Sequence, residues 1–266
     1  VMVAVVLAAL LWRLSPAPRA LMATIVIVGT GLAVLAVIHA LTGATLQNLS
    51  VAVMVLALFV LTGAPKIAAR MAGIPVPPFP TVTGKDTFDN ADAIAKEALA
   101  AEHQGTPSVE DLRRGAEAAN VYLSALLIAV AIFFVGASVF VVEPGRGRWW
   151  LATVFIGLLA TVLVLRGRAF AARGQAITVV AAAVLMVMVT TVKYALAWPN
   201  PVAAYAAAAV ILALGVAGMG AAAVVPAKVF SPVFRKVVEW VEYLLIVAVP
   251  PIAVWLLNLL ALARNM

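Results

Sequence analysis

Charge is scarce in this chain. Only 11% of its 266 residues are Asp, Glu, Lys or Arg, 65% are hydrophobic, and the mean hydropathy is +1.14. Soluble domains carry about 25% charged residues, and so few could not cover a water-exposed surface. A water-soluble enzyme is excluded on that ground, and intrinsic disorder with it. Cysteine is absent altogether, which excludes disulfides, thiol catalysis, iron–sulfur clusters and cysteine-based zinc sites. Acidic residues are missing from every long apolar run: eight of the eleven fall between Asp86 and Glu117, and Glu143, Glu239 and Glu242 stand at the edges of runs. Ion- and proton-coupled carriers keep ionisable groups inside the membrane, so this distribution argues against such a carrier.

What is present in quantity is apolar sequence in blocks long enough to cross a bilayer, for which about 20 residues suffice. Seven runs qualify: Ala20–Leu41, Leu46–Thr62, Ala119–Val142, Trp149–Leu165, Ala176–Val192, Val202–Val225 and Tyr243–Ala263. An eighth, Val1–Trp12, is too short to span at about 1.5 Å per residue. It has no initiator Met and no basic n-region before it and is no signal peptide, so it reads as the end of a helix in a fragment of a longer protein. The expected fold is an all-α integral membrane protein: a polytopic bundle with about eight transmembrane helices, the first truncated. Residues 1–62 and 119–266 would hold the spans, 63–118 a cytoplasmic loop, and 231–242 a cytoplasmic amphipathic helix.

The net charge of +7 and the pI near 10.1 follow from topology. With Trp12–Arg19 placed in the cytoplasm, inside segments hold fourteen Lys and Arg and outside segments four, namely Arg146, Arg148, Lys193 and Arg264. Cytoplasmic loops are enriched in Lys and Arg, so this placement puts the carboxy terminus outside. No further basic patch is left over for nucleic acid, and no nucleic-acid partner is expected. Trp149, Trp150, Tyr194, Trp198 and Tyr205 mark outer edges, whereas Trp12, Tyr122, Trp240 and Tyr243 mark inner ones; Trp255 alone is expected well inside a span.

Catalytic signatures are absent. There is no His-Glu-x-x-His, no intramembrane aspartate pair and no Asp-rich phosphate motif. Gly84-Lys85 resembles the tail of a phosphate loop, but Phe79 stands where the first glycine is required. Ser124 and Ser138 have no histidine near them in sequence and read as interhelical hydrogen-bonding residues. His39, near the outer end of its span, reads as an interfacial histidine rather than a proton site, since relay partners are lacking. No catalytic, cofactor-binding or metal-ligating residue is expected. Ala213, Ala217 and Ala221, with Gly215, Gly218 and Gly220 beside them, have the spacing of a close helix contact, as does Gly29-Thr30-Gly31; an Ala-rich composition also produces such spacing by chance. Pro250-Pro251 should kink the last span.

Two segments look built for contact outside the bilayer. The loop begins with Ala64–Ile74, which either extends the preceding helix or lies on the membrane, and continues into Pro75-Val-Pro-Pro-Phe-Pro80, an extended polyproline-like arm. Ala91–His103 follows as a short helix with Asn90 as its cap, and Ser108 starts another that runs into the span at Ala119. A solvated linker and a docking element both accommodate these features; the start and stop signals favour docking. The second segment, Val229–Tyr243, has Ser231 as cap and Pro232 at the first helical position. An apolar stripe of Phe230, Val233, Phe234, Val237, Val241 and Leu244 lies opposite Arg235, Lys236, Glu239 and Glu242. Charges of both signs suit a protein partner better than an anionic lipid surface.

These stretches resemble the EccD family, the multispanning inner-membrane subunits of mycobacterial type VII (ESX) secretion systems. The resemblance rests on Arg70-Met-Ala-Gly-Ile-Pro-Val-Pro-Pro-Phe-Pro80, Gly147-Arg148-Trp149, Leu165-Arg166-Gly167-Arg168 and, most specifically, Phe230–Tyr243, all in order. It implies a non-catalytic scaffold in the bacterial plasma membrane. Paired copies would enclose a lipid-lined space, and the subunit would anchor the EccC ATPase with EccB and EccE nearby. The implied partner contacts are Arg70, Pro75, Pro77, Phe79, Arg113 and Arg114 of the loop, and Phe234, Arg235, Lys236, Glu239 and Trp240 of the amphipathic helix. The family's ubiquitin-like domain and first spans have no counterpart in this sequence. A permease or lipid transporter of unknown substrate is the competing reading.

Overall fold

The structure, a computed structural model, describes residues 19–73, 109–198, 200–224 and 232–257. All regular structure among them is helical: α1 (Arg19–Thr42), α2 (Leu46–Met71), α3 (Val109–Val141), α4 (Trp149–Gly167), α5 (Arg173–Ala197), α6 (Pro201–Val224) and α7 (Pro232–Leu256). In hydrocarbon a backbone N–H or C=O finds no water, so apolar segments of this length close their hydrogen bonds internally as helices. The shortest, α4, has 19 residues and measures about 28 Å, against a hydrocarbon core of about 30 Å. Six helices (α1 to α5 and α7) are long and apolar enough to cross a membrane, while α6 contributes a shorter apolar stretch, Pro201–Val216. Val1–Trp12 lies outside the described residues.

Short links force neighbouring helices antiparallel. Gly43 adopts φ +62°, a conformation glycine takes at no steric cost, and donates its N–H to the His39 carbonyl at 2.9 Å to close α1. Helices run on across three of the segment junctions. α2 continues through Pro65 to Met71, so the start of the loop extends the preceding helix. α3 has 33 residues, about 50 Å, and carries the second loop helix into the span without a break. The amphipathic segment and the last span form the single helix α7, which runs through Pro250 and Pro251.

One compact unit comprises Val1–Thr62 and Ser124–Met266, and a second comprises Gly63–Leu123. In the second, Ala64 and Ala68 are buried on the extension of α2, Arg70 is exposed, and Arg113 donates to Glu117 one turn on at 3.1 Å. In the first, Met54, Leu58, Phe134, Phe155, Leu159 and Met186 are fully buried core side chains. α4 packs on both α5 and α7, and α6 on α5.

Small residues set the close approaches at Gly31 and Gly167. A Cβ on Gly31 would lie 2.4 Å from Phe133 Cζ, and one on Gly167 would lie 2.6 Å from Val180 Cγ2. In α6, by contrast, Ala213 is exposed and a Cβ on Gly215 would meet nothing within 4 Å. The side chains of Ala217 and Ala221 lie outside the described ones. Polar side chains tie the helices in pairs. Thr24 Oγ1 donates to the carbonyls of Ala20 and Ala125, joining α1 to α3. Gln47 Nε2 donates to the Val141 carbonyl at 2.9 Å, joining α2 to α3. Gln175 Nε2 donates to Ser124 Oγ at 3.1 Å, joining α5 to α3, the interhelical role expected of Ser124. Ser138 bonds within its own helix, to the Val135 carbonyl.

Candidate functional site

The expectation that no acid lies within the bundle is overturned by Glu242. Its side chain is 7% exposed and sits inside the apolar helix Lys236–Leu256. Arg166, in the last turn of α4 and 21% exposed, donates through Nη1 to Glu242 Oε1 at 3.0 Å. Its Nη2 donates to the Thr62 carbonyl of α2 at 3.2 Å. Arg168 Nη2 approaches the other carboxylate oxygen at 4.0 Å. The junction thus links α2, α4 and α7, and a charge is tolerated there because it is paired. Arg166 Nε is buried with no hydrogen-bond partner among the described residues.

Glu242 is missed from sequence because it stands one residue before an apolar run, as does Arg166 one residue after another. Both look like solvated edge residues. The helical face of Glu242 also inverts the amphipathic reading of α7. Val237, Val241 and Leu244 are exposed, Leu244 by 69%, while Glu242 turns into the protein. The described part of the apolar stripe meets the surroundings and one of the charges opposite it meets the core. The physical reason is the medium: against lipid an apolar face is satisfied outside, and the polar group needs the protein.

The other end of the first unit holds an aromatic and cationic cluster. Trp149, Tyr194 and Trp198 pack with ring centroids 5.3 to 6.1 Å apart, and Thr153 Oγ1 hydrogen-bonds the Tyr194 hydroxyl. Lys193 donates to the carbonyls of Val139 and Val142 at the end of α3, a favourable place for a cation beside unsatisfied C=O groups. Trp255 is not deep in a span. It lies in the last turn of α7, edge-on to Trp150 at 5.9 Å, with the Arg148 guanidinium 5.8 Å from its ring and bonded to its carbonyl. His39 stands in the last turn of α1, exposed, with Nδ1 donating to the Ala44 carbonyl at 2.9 Å.

Of the implied partner contacts, Arg70, Arg113, Arg114, Lys236, Glu239 and Trp240 are exposed, Trp240 by 68%. Arg70, Arg113 and Arg114 belong to the second unit, Lys236, Glu239 and Trp240 to the first. Pro75, Pro77 and Phe79 lie outside the described residues. So do the side chains of Phe234 and Arg235, whose backbone belongs to α7.

Such a molecule is a polytopic helical membrane protein in which the buried charge among the described residues, Glu242, joins helices to one another. Within that class the chain belongs to the EccD family, whose EccD-like transmembrane domain matches residues 1–266. It is 35% identical over 266 residues to the ESX-5 secretion system protein EccD5 of Mycobacterium tuberculosis, covering 97% of this chain and 52% of that protein. To EccD5 of Mycobacterium marinum it is 35% identical over 247 residues, covering 91% and 49%. The chain therefore spans about half the length of these relatives. It is similar to a chain of the MycP5-free ESX-5 inner membrane complex, with a TM-score of 0.63, 28% identity, and 82% of this chain and 47% of that one covered. It shares its fold with a chain of protomer 1 of the ESX-3 core complex, at a TM-score of 0.75 and 18% identity, over 97% of this chain and 56% of that one.

Proposed function

We propose that the chain is the membrane part of a non-catalytic scaffold subunit of a type VII (ESX) protein secretion complex in the bacterial inner membrane. One observation carries this: the match to the EccD family runs the full length of the chain. The Arg166–Glu242 junction supports it, because the buried charge among the described residues fixes helices to each other rather than fronting an open path. In this reading the subunit packs against a second copy and anchors the EccC ATPase, with EccB and EccE beside it. The fourteen-to-four distribution of Lys and Arg supports a cytoplasmic position for residues 63–118 and an outer position for the carboxy terminus. The exposed Arg70, Arg113, Arg114, Lys236, Glu239 and Trp240 then face cytosolic partners, together with Pro75, Pro77, Phe79, Phe234 and Arg235.

The test is gentle extraction of the full-length protein followed by native electrophoresis and identification of co-migrating subunits. Migration in a large assembly containing an ATPase is expected, and the pair Arg235→Glu and Lys236→Glu should weaken that assembly at least fivefold while membrane insertion is kept. A lone small particle, or substrate transport by the purified protein in liposomes, would replace the scaffold with a permease.

A further inference from the structure

Pro250 and Pro251 sit inside α7 without ending it, and the two missing N–H groups fall on one spot. An α-helical carbonyl is served by the N–H four residues on, and a tightened 3₁₀ turn offers the one three residues on. For Ile246 the fourth residue is proline, but the third, Val249, still carries a donor. For Val247 the third and fourth are Pro250 and Pro251, so neither register supplies one. The N–H of Ile252 belongs to Ala248 in the α-helical register. Among the described residues no side chain donates to the Val247 carbonyl.

That acceptor lies where water does not reach. Val247 is about 16 Å along the helix from Lys236 and about 14 Å from Leu256, the ends of the spanning stretch, and so near the middle of a core about 30 Å thick. The carbonyl points along the axis from Val247 towards Pro251. Val247 is 70% exposed and Pro251 is exposed as well, so the unserved acceptor is on the outer face of the helix. The side chains of this face are at home against lipid; the carbonyl is not. Acyl chains carry no donor, and backbone groups freed by proline in a span are satisfied by neighbouring helices. A second α7 laid against the first would bring no donor, because Leu244–Val254 holds no polar side chain.

We propose that α7 docks a transmembrane helix of another membrane protein, and that this helix donates a hydrogen bond to the Val247 carbonyl from a hydroxyl or carboxamide side chain at mid-membrane. Ser, Thr, Asn and Gln are the residues that supply such bonds between spans. The face is continuous with the exposed residues at the start of the helix: Lys236, Trp240, Leu244, Val247 and Pro251 follow one another at three- and four-residue spacing, which places them on one side, and all five are exposed. The docked helix lies along this row, with its donor at the level of Val247. The proposal does not rest on the secretion reading, which native electrophoresis tests separately.

The test uses the full-length protein in its native membrane, with photoreactive p-benzoylphenylalanine in place of Leu244, which is 69% exposed one turn before Val247. After illumination, cross-linked peptides are identified by mass spectrometry. The expected adduct is an apolar segment of another membrane protein with Ser, Thr, Asn or Gln near its middle. Pro251→Ala returns an N–H to the Val247 carbonyl and should cut the adduct at least fivefold, because the acceptor is then served within α7. Pro250→Ala relaxes the same stretch, but its N–H serves Ile246, so the adduct should stay within about twofold. If Pro251→Ala fails to insert, Pro251→Gly restores the same N–H and carries the same expectation. A lipid adduct alone, an adduct with a second copy of this chain, or a captured helix without a mid-span donor would each overturn the proposal. So would a yield unchanged by Pro251→Ala, or an equal loss in both proline variants.

Discussion

Replacing Arg166 by Met while leaving Glu242 in place isolates the energetics of the junction. Glu242 is 7% exposed, and without Arg166 its nearest described cation is Arg168 at 4.0 Å. Removing one partner of a buried pair costs about 3–5 kcal/mol, because the remaining charge stays buried and uncompensated. Loss of the 3.2 Å bond from Arg166 Nη2 to the Thr62 carbonyl adds about 1 kcal/mol. Relief of the partnerless Arg166 Nε offsets a similar amount, so the expected loss stays near 3–5 kcal/mol. The double variant Arg166→Met with Glu242→Leu removes both charges and should lie within about 1 kcal/mol of the parent, since an apolar pair of similar volume replaces a buried ion pair at little net cost. Reversible unfolding of the full-length protein in mixed micelles, run as a double-mutant cycle, gives the coupling directly. Additive single effects, or a loss below about 1 kcal/mol for Arg166→Met alone, would show that the pair behaves as an exposed surface contact and would refute the junction.

Two further perturbations separate close packing from open space. Gly31→Ala should destabilise by about 1–3 kcal/mol through overpacking, because its Cβ would fall 2.4 Å from Phe133 Cζ, and Phe133→Leu should restore much of the loss in the same unfolding assay. Gly136→Ala, whose Cβ meets nothing within 4 Å, should instead stabilise by up to about 1 kcal/mol from helix propensity. Lys193→Met removes the donor to the Val139 and Val142 carbonyls and should cost about 1.5–3 kcal/mol, the worth of a charged hydrogen bond; faster amide exchange confined to the end of α3 and the 142–148 link would confirm where the loss falls.

Hydropathy was enough to place six of the seven long apolar runs on helices of spanning length, and the distribution of Lys and Arg set an expected orientation. The reason is that a bilayer constrains composition more tightly than water does: apolar length and flanking charge are themselves the physical requirements. The continuation of α3 from Val109 was legible in the Ser108 cap and the absence of a breaker before Ala119. The candidate interface was legible only as charged and aromatic residues at helix ends.

What the chain alone leaves open is the rotation of each helix about its axis. A span apolar on every side carries no stripe to say which face is inside, and so Phe134 and Phe155 could not be told from Phe59 and Phe140 as core residues. In α7 the described part of the stripe, Val237, Val241 and Leu244, points outward, because lipid accepts it and the core does not require it. Only the tertiary structure brings Arg166 to Glu242 across 76 residues, and only there does an acid at the edge of an apolar run become a buried joint between three helices.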